Sequence, residues 1–123
     1  MFKNATSLKS LVVSGTMTES IFEGCTSLAE ATISAEEVPY RSFYGCTKLT
    51  KVIFKKTVDM IGSEAFAKCT ALSSIDLSST TIDAVHRDFI NGTAITSIVL
   101  PETITSLSQI DANAFRGSKL TNV

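Results

Sequence analysis

The feature that most constrains this chain is a phenylalanine that returns every 20 to 26 residues. Six of the seven phenylalanines follow this spacing, and nearly the same residues come after each of them. A period of this length is typical of a repeat protein, in which each unit buries its apolar edge only against its neighbours. The repeat units are expected to begin at Phe2, Phe22, Phe43, Phe66, Phe89 and Phe115.

Each unit ends in the pattern of a short β-strand. In the fourth unit the apolar residues are Leu72, Ile75 and Leu77, and the same spacing recurs in the other four complete units. The alternation at the end of this pattern indicates a strand with one buried side. The sequence therefore predicts an α/β, mainly β solenoid. It has one short strand per repeat, a parallel concave sheet, and short helical turns on the convex side.

The position two residues after each phenylalanine is glycine or asparagine in five of the six units, Asn91 among them. These residues accept positive φ angles most easily, so this position is expected to close a turn in the left-handed conformation. Lys68 occupies the position in the fourth unit and is expected to carry strain there.

Apolar pairs three residues apart precede three of the phenylalanines and predict a second inward edge on the return side of each coil. The pairs are Val58 with Ile61, Ile82 with Val85, and Leu107 with Ile110. The middle pair lies one residue nearer its phenylalanine than the other two pairs do. A local irregularity is expected at that point of the chain.

The charge balance excludes several classes of partner. Eleven basic and twelve acidic side chains leave a net charge of −1, whereas a nucleic-acid-binding surface needs a basic excess. No apolar run approaches the length of a transmembrane helix, so membrane insertion is not expected.

Cys25, Cys46 and Cys69 occupy the same position in consecutive units. Stacked strands lie about 4.8 Å apart, which brings neighbouring cysteines within reach of each other. Three interpretations remain open: a column of buried free thiols, a strained disulfide between two neighbours, or a metal site. Zinc requires four ligands, and no fourth cysteine or nearby histidine completes such a set.

Catalytic chemistry has little support in the sequence. His86 is the only histidine, and although Asp83 and Asp88 flank it, a general base also needs a nucleophile within reach. The segment belongs to a return stretch, away from the inward cysteines. The chain is therefore predicted to be neither an enzyme nor a cofactor-binding protein.

Residues 61–77, IGSEAFAKCTALSSIDL, resemble the leucine-rich repeat of the BspA type. The resemblance implies a curved, right-handed leucine-rich-repeat superhelix. It also implies a surface or secreted protein that binds a host or extracellular-matrix protein in adhesion, and it implies no catalytic residues. An extracellular or cell-surface location rests on this resemblance.

The outward positions of the predicted strands are the expected binding face. They form a β-branched stripe bordered by polar side chains. The predicted face consists of Ser10, Val12, Glu30, Thr32, Lys51, Ile53, Lys55, Ser74, Asp76, Ser97 and Val99. Six strands span roughly 24 Å and four residues along a strand roughly 13 Å, which gives a face on the order of 300 Å². A standard interface buries about 800 Å² per partner, so this face by itself is expected to bind weakly.

The single domain predicted for residues 1–123 starts and stops inside a repeat unit. Repeat proteins need terminal caps with a polar outer side, and neither end has the pattern of one. The chain is therefore expected to be uncapped at both ends. It then belongs to a longer array or associates with another copy through its terminal repeats. The two functional hypotheses are a protein-binding module and a purely structural spacer or self-assembly segment.

Overall fold

The chain forms a parallel β-solenoid, as the computed structural model describes it for residues 2–55 and 58–120. Met1 and Val123, the expected ends of the domain, lie outside these ranges. Five strands occupy equivalent places in successive coils: β1 (Ser10–Val13), β2 (Glu30–Ile33), β4 (Lys51–Phe54), β6 (Ser74–Asp76) and β7 (Ser97–Val99). The predicted fold class is confirmed.

A second set of shorter strands lies on the return side of the coils. It consists of β3 (Glu37–Val38), β5 (Met60–Ile61) and an isolated parallel bridge between Val85 and Ile110. Val38, Ile61 and Val85 are buried there. The second inward edge that the apolar pairs predict is therefore present in the third and fourth coils, and Val38 continues it into the second coil.

The strands pair in register, so that one face of each strand points into the solenoid throughout. In the first three coils Leu11 pairs with Ala31, and Ala31 pairs with Val52. A parallel pairing of this kind requires a long connection between strands, and the turn and return segments of each coil supply it.

The phenylalanines that open the first four units form a stack through the core. The ring centroids of Phe2, Phe22, Phe43 and Phe66 lie 5.5, 5.3 and 5.2 Å apart along this stack. Phe43 and Phe66 are completely buried. Stacked rings that fill successive coils bury a large apolar area and also hold each coil directly over the last.

In the fifth unit the residue that anchors the coil lies one position later than the repeat alignment on Phe89 predicts. The amides of Phe22 and Phe43 donate to the carbonyls of Ser42 and Ala65, the residues just before the next anchors, at 2.9 and 2.8 Å. The amide of Phe66 donates to the carbonyl of Phe89 at 2.9 Å, which makes Ile90 the next anchor. Phe89 instead packs against Phe115, with a tilt of 60° between their ring planes.

With Ile90 as the anchor, the irregularity expected on the return side disappears. Ile82 and Val85 precede Ile90 by the same intervals that separate Val58 and Ile61 from Phe66. The return segment is therefore regular, and the change lies in the turn. The predicted positive φ angle at Asn91 is wrong, because Gly92 adopts it with a φ of 79°.

The turn after Ile90 is one residue shorter than the earlier turns, as it is after Phe115. Thr93 donates its hydroxyl hydrogen to the carbonyl of Ile90 at 2.8 Å, and Ser118 donates in the same way to Phe115 at 2.7 Å. The hydroxyl bond thus stays within one coil. The alignment on Phe89 conceals this deletion because Phe89 and Ile90 are adjacent apolar residues.

Leu107 is the second place where the structure departs from the expectation. It lies in a 3₁₀ helix (Leu107–Gln109) and is 85% exposed, so its predicted inward position is wrong. Ile104 packs against the core instead, while Ile110 is partly buried as expected. The amide side chain of Gln109 holds this 3₁₀ segment in place, because its nitrogen donates to the carbonyls of Asp83 and Thr103 at 3.0 and 2.8 Å.

The concave strands form two separate ladders. β1, β2 and β4 make one sheet, and β6 pairs with β7 in another. Within the described residues no ladder joins β4 to β6, although the two strands lie side by side. The hydrophobic core continues across this interruption.

A carboxylate with several hydrogen bonds ties the fifth and sixth units together. Asp88 is almost completely buried and accepts two hydrogen bonds from Arg116, at 2.9 and 2.7 Å. Asn91 and Arg87 also donate to it. Chiefly through its hydrogen bonds with Arg116, the pKa of the Asp88 carboxyl falls from 3.8 to about 2.

We expect replacement of Lys68 by glycine to stabilise the protein. Lys68 has a φ of 63°, as the sequence analysis predicts, and this conformation costs a side-chain-bearing residue about 1 kcal/mol. Urea denaturation should show Lys68→Gly to be more stable than wild type by up to this amount. Lys68→Ala, which loses the same long side chain without gaining conformational freedom, should not be stabilised. Equal stabilities of the two variants would contradict the strain.

The Asp88 cluster should also make the fold acid-sensitive. Because the folded pKa lies below the unfolded value, the ionised carboxylate stabilises the fold above pH 3.8, and this stabilisation is lost as the pH falls toward about 2. Melting temperatures measured across this range should fall more steeply for wild type than for Asp88→Asn. Asp83→Asn, at an exposed position outside the cluster, should keep the wild-type slope. Parallel slopes for all three proteins would refute the assignment.

Candidate protein-binding face

The eleven residues predicted for the binding face all lie on one side of the solenoid. Ten are exposed and Thr32 is partly buried. They come together because every strand places alternate side chains outward and successive coils repeat the same register. Ser10, Glu30 and Lys51 form one aligned row, and Val12, Thr32 and Ile53 form the next.

The second of these rows is an exposed stripe rich in apolar side chains. Val12 is 79% exposed, Val99 52% and Ile53 38%. Aligned apolar side chains with a polar border are characteristic of a surface that binds another molecule. Asp76 interrupts the stripe in β6, where its carboxylate accepts a hydrogen bond from the amide of Ser78 at 2.9 Å. Hydrogen bonds from Ser78 lower the pKa of Asp76.

Charged groups border the stripe without forming a strong internal network. The Lys51 ammonium lies 3.8 Å from the Glu30 carboxylate, and both side chains are about 60% exposed. An exposed ion pair of this kind contributes little to stability, typically below about 1 kcal/mol. Both groups are therefore accessible to a partner at small cost to the fold.

An aromatic cluster on the turn side is a surface that the sequence reasoning missed. The Arg41 guanidinium lies 4.2 Å from the ring centroid of Tyr44 and 5.3 Å from that of Tyr40, and its Nη2 donates to Glu64 at 3.1 Å. A hydrogen bond with Glu64 also raises the pKa of Tyr40. The signal was present, because both tyrosines of the chain lie within four residues of each other. The cluster lies at the surface, where the hydrogen bond from Arg41 to Glu64 links the turns of neighbouring coils.

A shallow depression of about 470 Å³ adjoins the first two coils. Its lining consists of Gly15, Thr16, Met17, Ser34, Glu36 and Glu37. It lies between the segments that follow β1 and β2, where the return segment of the first coil is short. The two glutamates give its rim a negative charge.

The three cysteines form a column of buried free thiols, in agreement with the first of the three interpretations. The thiols of Cys25, Cys46 and Cys69 donate to the carbonyls of Phe2, Phe22 and Phe43 at 3.2, 3.2 and 3.1 Å. Each thiol thus bonds to the anchor of the coil before it. Burial raises the pKa of the Cys25 and Cys69 thiols, which lowers their reactivity.

The structure places His86, the one histidine of the sequence, in the return segment before Ile90. His86 is partly buried, and the neighbouring carboxylate of Asp88 accepts hydrogen bonds from Arg116 and Asn91. Within residues 2–55 and 58–120, no three histidine, cysteine or acidic side chains are grouped so as to hold a metal ion. In the same ranges no helix has the length and apolarity needed to cross a membrane.

Comparisons with known proteins agree with this geometry. A family model described as the BspA type leucine rich repeat region matches residues 1–122 in six copies. The chain is also similar to a leucine-rich repeat protein from Bacteroides ovatus of known crystal structure, with 32% sequence identity and a TM-score of 0.80. That match covers 93% of this chain and 30% of the other, so the chain spans less than a third of that protein. Among curated proteins no match is found.

We expect the three thiols to resist labelling while the protein is folded. Because all three are buried, a thiol reagent should react with the native protein on the order of a hundredfold more slowly than with the urea-unfolded protein. Ser10→Cys adds a thiol on the exposed face and should give one rapidly labelled group in the same assay. Rapid labelling of native wild type would contradict the burial.

Proposed function

Because the chain belongs to the BspA-type leucine-rich-repeat family, we propose that it is a non-catalytic protein-binding module of a surface or secreted protein. In this proposal the partner binds to the concave face, whose eleven residues run from Ser10 in β1 to Val99 in β7. Leucine-rich repeats generally mediate protein–protein interactions or act as structural repeat modules, and the fold is generally non-enzymatic. BspA-type proteins are typically surface-associated in bacteria.

The observation that carries this proposal is the exposed apolar stripe of Val12, Ile53 and Val99. A soluble fold gains nothing by exposing three aligned apolar side chains, whereas a partner that covers them removes their area from water. The accessible Glu30 and Lys51 on the border add selectivity, because charged rims discriminate among partners more than they add affinity.

The proposed partner is a host or extracellular-matrix protein, and the module is one part of a longer array. The size of the concave face supports the array. A face on the order of 300 Å² is too small for a stable complex, which buries about 800 Å² on each partner. Further coils extend the same face, and the similar Bacteroides ovatus protein is more than three times as long as the part this chain matches.

A second candidate function is a structural spacer or self-assembly segment whose partner is another copy of the chain. The same small area favours it, since the face by itself provides few contacts. Sedimentation at high protein concentration separates the candidates, because a spacer that assembles with itself forms oligomers and a monomeric adhesion module does not.

Substitution on the concave face should abolish binding while preserving the fold. We expect Lys51→Glu combined with Ile53→Asp to weaken capture of extracellular-matrix proteins by about tenfold or more, since it reverses a charge and removes an apolar contact. Both side chains are exposed, so the free energy of unfolding should change by about 1 kcal/mol or less. Binding to an array of purified matrix proteins and urea denaturation measure the two effects.

The matched control changes two residues on the return side, Asp59→Lys with His86→Asp. These positions lie away from the concave strands, and the control should bind as wild type does. An equal loss of binding in the control would refute the assignment to the concave face. Absence of binding in wild type, together with concentration-dependent oligomers, would favour the structural role.

A further inference from the structure

The interruption of the concave sheet coincides with an interruption on the return side. On that side β3 pairs with β5, and Val85 pairs with Ile110, but within the described residues no bridge joins Ile61 to Val85. Both ladders are therefore broken between the third and fourth coils. Thr81 still crosses the boundary on that side, because its amide and its hydroxyl donate to the carbonyl of Val58 at 2.9 and 3.3 Å.

The turn side of the solenoid remains continuous across the same boundary. The amides of Arg41, Phe43 and Gly45 donate to carbonyls of the next turn at 3.2, 2.8 and 2.9 Å. The rings of Phe43 and Phe66 stack at 5.2 Å, with an angle of 3° between their planes. The turn side of the boundary is thus joined by a run of backbone hydrogen bonds, whereas isolated bonds from Thr81 and Ser79 join the other sides.

On the concave side, a side chain in β6 takes a hydrogen bond that the second and third coils give to the preceding coil. In the second and third coils the residue after the strand donates its amide to the preceding coil, as from Ser34 to Val13 at 2.8 Å and from Lys55 to Ile33 at 2.9 Å. Ser78 holds this position in the fourth coil, but its amide donates to the carboxylate of Asp76. Aspartate favours this local turn over an extended strand.

The carbonyl of Phe54, which corresponds to those of Val13 and Ile33, accepts from a different residue. The hydroxyl of Ser79 donates to the carbonyl of Phe54 at 2.7 Å, so the end of β4 is satisfied by a side chain and not by the backbone of β6. β6 and β7 have three residues each, whereas β1, β2 and β4 have four. At the position of Asp76 the other coils have a β-branched residue: Val12, Thr32, Ile53 or Val99.

We propose that the boundary between the third and fourth coils is a hinge in the concave face, created by Asp76 and pivoting on the bonded turn side. The two ladders then move as separate blocks and adjust the curvature of the face to a protein partner. The adjustment to a partner rests on the proposed function, but the hinge itself is a property of the free protein. Within the described residues no strand ladder has to break for it to move, which is the physical character of a region that opens locally.

Residue-resolved amide exchange tests the first part of the proposal. In wild type the amide of Ser78 should exchange about tenfold or more faster than those of Ser34 and Lys55, which bond to backbone carbonyls. Asp76→Val places the side chain of β1 and β7 at this position and should slow the exchange of Ser78 toward the other two. Asp83→Val, outside both ladders, should leave it unchanged. Equal exchange of the three amides in wild type would overturn the proposal.

Distance measurements on the free protein test the motion. Spin labels on Ser10→Cys and Ser97→Cys lie on opposite sides of the boundary, four strand spacings or roughly 19 Å apart. The distribution of distances between them should narrow in Asp76→Val and stay as in wild type in Asp83→Val. An identical distribution in all three proteins would overturn the hinge. Since no partner is present, this outcome is independent of whether the concave face binds one.

Discussion

Stacking of each coil on the anchor of its neighbour is the interaction on which the whole molecule depends. A unit of 20 to 26 residues cannot bury its own apolar edge, so Phe22, Phe43 and Phe66 are buried because they lie one above another. Phe2, at the end of the stack, stays 43% exposed. The thiols of Cys25, Cys46 and Cys69 strengthen the same contact, because each donates to the anchor carbonyl of the coil before it. Strand register and the concave face both follow from this alignment.

The fifth coil shows what sets the register when the residue pattern changes. Ile90 replaces phenylalanine as the anchor, and Thr93 replaces cysteine. The hydroxyl of Thr93 donates within its own coil, whereas a cysteine thiol donates to the preceding coil, so the link from coil to coil is lost at this position. Backbone hydrogen bonds of the turn keep the coils aligned there. The buried cluster around Asp88 then joins the fifth and sixth units by a different means.

The concave face combines a regular three-stranded ladder with a local break, and both features bear on the binding proposed for it. Its apolar stripe and its accessible charges are presented at fixed spacing by β1, β2 and β4. Asp76 places a carboxylate within the stripe and withdraws the amide of Ser78 from the ladder. A face made of two blocks can match partners of different curvature, whereas a continuous sheet of the same size presents a single shape.

The sequence by itself determined the repeat, the strand positions and the side that each strand residue faces, because these follow from local periodicity that every coil repeats. All eleven predicted face residues are exposed or partly exposed for that reason. The tertiary structure decided what depends on contacts between coils: Ile90 as an anchor, Leu107 in the solvent, and the separation of β4 from β6. The residue pattern allowed more than one arrangement at each of these places. Phe89 and Ile90 are adjacent apolar residues, Leu107 lies in a 3₁₀ segment, and Asp76 stands in β6 where the other coils have a β-branched residue. Hydrogen bonding between coils selected the arrangement that formed.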